Sequence, residues 1–561
     1  MPDNVLPNIR IKQKSDTSTN WASENPALKK GELVIETGVS YIDKNETKTD
    51  GTNIHIAKDN NAHVVGNDET AVFMDKKQFT AVLNKKIDDA TYECTMSEYD
   101  SLPGSKRTDD KVYFITDATE TEIVPIIYGF HIDPEESDPS DAVTYIADAT
   151  GFIPARMTNN GFSYGSWAGA FFMPIPCMVK YDGTVDYYLD PSDYNKKLDG
   201  TASDVASLNY DGNAMMEWPL IWYKYEAGTS NGEGYVYISN VQADDDFVCW
   251  SNYDCDNNII PHFYTAIYNG TSAPTYSTSK TYNVGDRVTY SNAEYKCTTA
   301  VTTAESWNSS KWTQVASTTR LRSLSGVQLT PDNGNGNTTG TTEVNRAVAN
   351  NTNNKTEWYI ETLADRELIN MLLVLIGKSL NCQAVFGRGM DAGNQSAKEA
   401  YVTGTLNDKG LFWGVTTNGN NAVKVFGMEN YWACVRHRTA GMIGYSNGYK
   451  VKLTHGTADG STAASFNSDG TGYREITVKR PSSGYLKYMD WHDDVYVPKT
   501  TGGTTTTYYS DYHTNGDTGY LSMGGTSAYD LKCGPFYFNL NSVFPASNWD
   551  LSAALSLKPL A

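Results

Sequence analysis

A single stretch of this chain carries a sustained helical pattern. It runs Leu363–Ser379 (LADRELINMLLVLIGKS), with Leu368, Met371, Leu372 and Ile376 on one stripe and enough apolar character to be largely buried. Thr362 is the candidate N-cap, with Asp365 three residues on. Most of the remaining chain alternates in period two or forms short aromatic runs between Asp-Gly and Asn-Gly turns. Examples are Leu33–Glu36, Asn53–Ala57, the segment FFMPIPCMVKYDGTVDYYLD and the segment GYVYISN. A chain patterned this way has to pack one helix among many short strands. The predicted class is mostly β with a minor α part.

The 561 residues exceed one ordinary domain. Four segments are predicted: a small β module at 1–85, a helix–strand connector at 86–120, a large body formed by 121–270 and 319–561, and an insertion at 271–318. Ser97 reads as the N-cap of a short helix over Glu98–Leu102, and Val112–Thr116 as a strand. Asp332–Thr342 reads as an exposed, mobile loop of Gly and Asn.

The 38 tyrosines, set among much Asn, Ser, Thr and Gly, suit sheet faces and rigid contact surfaces. A formal charge of −21 argues against nucleic acid and anionic membranes as partners. Met1–Lys14 lacks the apolar core of a secretory signal, and the longest apolar run, Ile369–Ile376, is far too short to cross a bilayer. The eight cysteines contain no Cys-x-x-Cys pair. Cys249 and Cys255 are close enough in sequence to pair, but buried free thiols are the expectation.

No nucleophile elbow, phosphate-binding loop, zinc-protease helix or dinucleotide fingerprint is present, and no catalytic residue, metal or cofactor is expected. His492, Asp493 and Asp494 read as a solvated strand-end cluster before a metal site. The acidic run from Asp133 to Asp138 reads as a surface turn without calcium-loop spacing. Glu429 and Asn430 lie among aromatics, where a carboxylate can be an acid–base group.

Several segments carry resemblances. The run IRIKQKSDTSTNWASENPALKKGELVIE, through Trp21, Asn25, Pro26, Leu28, Gly31 and Glu32, resembles the N-terminal element of phage tail fibres and tail-tip proteins, which implies a virion-proximal attachment segment. TMSEYDSLPGSKRTDDKVYFITDA resembles a unit found near junctions in tail proteins. Phe426–Trp432, with Gly524-Gly525, Gly534-Pro535-Phe536 and Trp549, resembles the C-type-lectin-like receptor-binding proteins of phages that use diversity-generating retroelements. That branch shares its scaffold with formylglycine-generating enzymes, whose copper-binding cysteine pair would correspond here to Cys434 and Cys533. The resemblance of Phe426–Trp432 also implies a core-strand, scaffold role for Glu429 and Asn430, to which an acid–base role is second. The insertion is similar to chitin-binding modules of bacterial glycosidases through Tyr282, Gly285, Asp286, Val288, Tyr295, Trp307 and Trp312.

Together these resemblances imply a phage tail receptor-binding protein: made in the host cytoplasm, carried on the virion, homotrimeric, and bound through its N-terminus to other tail or baseplate proteins. Its partner would be a glycan or protein receptor on a bacterial surface. The candidate glycan contacts are Tyr282, Tyr295, Trp307 and Trp312, with about half expected in the core and Trp307 or Tyr282 at the surface. The candidate receptor contacts are Tyr508, Tyr509, Asp511, Tyr512, His513, Tyr529, Asp530, Asn548 and Trp549. The alternatives are a purely structural tail protein, a polysaccharide depolymerase and, disfavoured by the missing signal, a bacterial surface lectin.

Overall fold

The computed structural model describes residues 125–560 apart from 330–337, 353–355, 393–400, 493 and 517–518, together with the backbone of six strands before residue 116. The motif residues Trp21 to Glu32 and the helix expected at Glu98–Leu102 lie outside the described residues. The chain forms two compact units, Met1–Ile123 and Val124–Ala561.

In the first unit, Lys14–Thr17 runs parallel to Leu33–Asp43, which forms a long antiparallel hairpin with Glu46–Ala57; Thr70–Met74 completes the sheet. Val112–Ile115 pairs in parallel with Thr91–Cys94.

The second unit is mostly β with a minor helical part, the class its sequence predicts. Its seven-stranded sheet runs in the order 193–197, 185–190, 175–180, 212–219, 262–266, 555–559, 356–360. The C-terminal strand therefore lies between two strands from the middle of the chain. A nine-stranded sheet is built from 436 onward, and a four-stranded sheet joins 222–227, 234–239, 127–132 and 143–147.

The helix predicted from sequence spans Leu363–Gly377 and is called α2. The Thr362 hydroxyl accepts from the Asp365 amide as expected, and the helix stops where Lys378 enters the left-handed region at φ 50°. Every residue of α2 is buried, polar ones included. Its charged side chains therefore have to find partners inside the protein. Asp365 accepts from Lys558 Nζ at 2.6 Å and from Ser556 Oγ at 2.9 Å, both on the seven-stranded sheet. Asn370 donates to the Pro535 carbonyl at 2.8 Å, on the nine-stranded sheet. The helix thus bolts the two sheets together.

Two further helices among the described residues were not expected. Gly340–Val348 (α1) begins inside the segment read as a loop, where Thr339 accepts from the Thr342 amide. Its buried face carries Glu343, which meets Arg438 at 2.5 Å, so an ion pair stands where an apolar stripe would have signalled a helix. Cys382–Phe386 (α3) is one short turn capped by Asn381. Cys249 and Cys255 are not paired, and all seven cysteines among the described residues are free. No helix among the described residues is long and apolar enough to cross a membrane.

Candidate functional site

The insertion folds as a three-stranded antiparallel sheet, Arg287–Tyr290, Ala293–Cys297 and Trp312–Ala316. Its entry and exit are paired: the Thr271 amide donates to the Arg322 carbonyl at 2.9 Å, and the Arg322 amide returns a bond to Thr271 at 2.8 Å. So small a sheet has little to bury, and half of its core residues are aromatic: Tyr276, Tyr282 and Trp312 with Val288, Cys297 and Val301.

Two of the four candidate glycan contacts belong to that core. Tyr282 is 8% exposed, and Trp312 is 6% exposed. The Tyr282 hydroxyl accepts from the Ser277 amide at 2.7 Å, and its ring stacks on Tyr276 at 5.2 Å. So little of the ring is exposed that Tyr282 belongs to the core, which corrects the expectation of Tyr282 at the surface. Trp307 and Tyr295 are half-buried. Trp307 lies flat against Tyr290, with ring centroids 4.0 Å apart and planes 7° from parallel, and Tyr295 meets it edge-on at 4.9 Å. Tyr290 is also half-buried, and sequence reasoning missed it. The signal lay in its place at the end of a strand whose turn, Ser291-Asn292, has both residues at positive φ.

The module is fastened to the body through buried charge. Glu294, fully buried, accepts from Arg287 at 2.6 Å and stands 3.5 Å from Arg320, while Arg287 also reaches Asp211 of the body. Burial raises the Glu294 carboxyl, but Arg322, Arg320 and Arg287 outweigh it and hold the group below its ordinary value. Tyr181 lies beneath Arg320 and Arg322, 4.3 and 5.4 Å from their guanidinium carbons. The module is therefore fixed in orientation on the body.

Residues 275–315 match the model of carbohydrate-binding module family 5/12. Over this segment the chain is similar to a carbohydrate-binding module. No curated protein matches the chain.

The C-terminal candidates divide. Tyr509, Asp511 and His513 are buried, at 1%, 1% and 0% exposure, and are corrected to core positions. Tyr509 packs on Phe536 at 5.1 Å, and Asp511 accepts from the Phe536 amide at 2.7 Å. His513 sits mid-sheet, where burial pushes its ring down to about 3. Alternation separates only Tyr512 from His513, neighbours in strand Tyr512–Thr514; Tyr508 and Tyr509 lie in the turn before it, where residues 509 to 511 are buried in succession.

The half-buried ones gather along strand Gly484–Trp491. Tyr512 meets Tyr485 at 5.2 Å, with Lys532 at 4.8 Å, and Tyr508 meets Tyr488 at 6.0 Å, with Lys487 at 4.9 Å. A bulge between Leu486 and Tyr488 turns Lys487 and Tyr488 outward together. Asp530 is exposed and pairs with Arg388 at 3.0 Å. Tyr529 stacks on Tyr537 at 5.8 Å, and Asn548 is exposed beside half-buried Trp549.

The remaining motifs are accounted for by structure. Glu429 accepts from the Gly404 and Leu406 amides, each at 3.0 Å, and so pins that loop. The Asp133 and Asp138 carboxylates accept from amides two residues on. Cys434 and Cys533 both border Thr526, through the Cys434 carbonyl and the Cys533 thiol. His492 turns to Asp490 at 3.2 Å and Asp494 to Arg474 at 2.8 Å; Asp493 lies outside the described residues.

Proposed function

We propose that this protein is a receptor-binding protein of a bacteriophage tail, which adsorbs to glycan on a bacterial surface and catalyses no reaction. The observation that carries the glycan part is the module at 275–315, with Trp307, Tyr290 and Tyr295 half open to solvent. Aromatic rings match the apolar C–H face of a sugar, while neighbouring polar groups bond its hydroxyls. The tail part rests on the resemblance of Ile9–Glu36 and of Thr95–Ala118 to tail proteins. In this reading the N-terminal segments fasten the chain to other tail or baseplate proteins, and the chains assemble as a homotrimer. Several weak sites on one particle then act together, and avidity replaces single-site affinity. Tyr485, Lys487 and Tyr488 of strand 484–491, with Tyr508, Tyr512 and Lys532 beside them, supply a second contact face for the receptor.

The test is adsorption of fluorescently labelled full-length protein to a panel of candidate host bacteria, beside the Trp307→Ala variant. The expected result is retention on some strains, lost or strongly reduced in the variant. A folded protein retained by no strain, while co-purifying with other tail proteins, would instead make it a structural tail component.

A further inference from the structure

Away from the module, the turn 228–233 joining strands Trp222–Ala227 and Gly234–Ser239 leans over strand Gly484–Trp491. Two glycines allow the approach. A β-carbon at Gly232 would stand 2.6 Å from the Tyr488 ring, and one at Gly234 would stand 2.3 Å from the Trp491 indole. The indole N–H of Trp491 donates to the Gly232 carbonyl at 3.3 Å. Beside this contact lies a cleft of about 320 Å³. That is room for roughly ten waters, and it lies within the usual range for small-molecule sites.

Thr229, Ser230 and Asn231 line the cleft from the turn, Met489 and Trp491 from the strand, and Glu233, Asp490 and Lys499 supply charge. Both carboxylates are fixed by their own partners. Glu233 accepts from the Thr229 amide at 2.8 Å, the Ser230 amide at 2.9 Å and the Tyr235 hydroxyl at 3.1 Å, with His131 Nε2 at 2.9 Å. Asp490 pairs with Lys499 at 2.5 Å and His492 at 3.2 Å. The Ser230 amide and His131 hold Glu233 down to about 2, and His492 and Lys499 hold Asp490 below its ordinary value against the opposing effect of burial.

A pair of carboxylates in a cleft is also the equipment of a glycosidase, but that chemistry needs one of them protonated to donate to the leaving oxygen. Here both stay ionised. What remains is a set of fixed acceptors, one ammonium and the polar groups of a turn, above Met489 and Trp491, which are buried at 0% and 6% exposure. Hydroxyl groups satisfy such acceptors. An anionic sugar would meet two fixed negative charges, and a purely apolar ligand would strip them of water.

We propose that this cleft is a second saccharide subsite, which takes one neutral sugar residue through its hydroxyls and holds it without cleavage. The proposal rests on the reading of the protein as glycan-binding, and adds a site on the body to the one on the module.

The experiment uses full-length protein on a printed array of neutral and uronic-acid-containing mono- and oligosaccharides. Four forms are compared: wild type, Trp307→Ala, Ser230→Trp, and the two changes together. Ser230 is exposed on the turn and bonds Glu233 only through its backbone, so tryptophan there fills the cleft and leaves the fold intact. The expected result is that Trp307→Ala keeps a set of neutral ligands, which the double variant loses by at least about tenfold; Asp490→Asn weakens the same set. If Trp307→Ala binds nothing while wild type binds, the subsite is refuted and the module stands. If no form binds any saccharide, the glycan reading fails with it. Preference for acidic sugars, or release of cleaved sugar, overturns the proposal directly.

Discussion

Trp307 and Tyr290 lie face to face, centroids 4.0 Å apart, at the half-open end of a cluster that also holds half-buried Tyr295 and whose remaining rings, Tyr276, Tyr282 and Trp312, are buried. In the proposed reading one cluster serves as both the core of a tiny domain and its contact surface. The two roles separate by position. Removing Trp312 takes out a core ring, with an expected stability loss of about 3–5 kcal/mol. Trp307→Ala should cost clearly less stability but lower glycan affinity by at least about tenfold, roughly 1.4 kcal/mol. Denaturant melts beside polysaccharide retention, run on both variants, check this; equal loss of binding at unchanged stability in both would contradict it.

The buried cluster of Glu294 with Arg287, Arg320 and Arg322 ties the module to the body. Glu294→Ala leaves buried guanidinium groups without their counter-charge, at an expected cost of about 3–5 kcal/mol. Hydrogen exchange over 275–315 should rise more than exchange in α2. Unchanged exchange in the module would show that the cluster does not hold it.

Glu367, fully buried on α2 near Tyr223 and Tyr225, has its carboxyl pushed well above the ordinary range by burial and by the charge of Asp494. The folded state therefore binds this proton more tightly than the unfolded chain does. The stability it contributes is complete below the ordinary glutamate value and is lost as pH rises toward the folded value, at about 1.4 kcal/mol per pH unit inside that window. Asp511 is raised by burial in the same direction. Melting curves of wild type and Glu367→Gln should diverge as pH rises, with the variant gaining relative stability; a constant gap would contradict this.

Glu429 pins the loop at 404–406 through two backbone amides. Glu429→Ala should cost about 1–3 kcal/mol, with faster proteolytic nicking near that loop and unchanged glycan binding. Loss of binding with an intact loop would give Glu429 a direct part in recognition.

Much of this was legible in the sequence, for identifiable reasons. α2 announced itself by apolar residues at helical spacing and by Thr362 at its start. The inserted module was legible through its resemblance to chitin-binding modules, carried by Tyr282, Gly285, Asp286, Val288, Tyr295, Trp307 and Trp312. α1 was not, because Gly340, Thr341 and Thr342 are weak helix formers and its buried face is secured by Glu343 with Arg438. Composition also could not separate Tyr508 and Tyr512 from Tyr509, Asp511 and His513. Strand pairing separates only Tyr512 from His513; Tyr508, Tyr509 and Asp511 lie before that strand, in a turn where Tyr508 and Ser510 take positive φ. The cleft at Glu233 and Asp490 joins residues more than 250 positions apart, and no local pattern announces it.

The most direct test of the central claim is retention of the full-length protein on insoluble polysaccharides, chitin among them, and on purified bacterial cell-surface glycan, with Trp307→Ala and Tyr290→Ala alongside. The account predicts retention of the wild type on at least one of these glycans and at least about tenfold weaker retention for each variant, with both variants folded. Equal retention of all three would place recognition elsewhere on the chain, and no retention of folded wild type on any glycan would contradict the account.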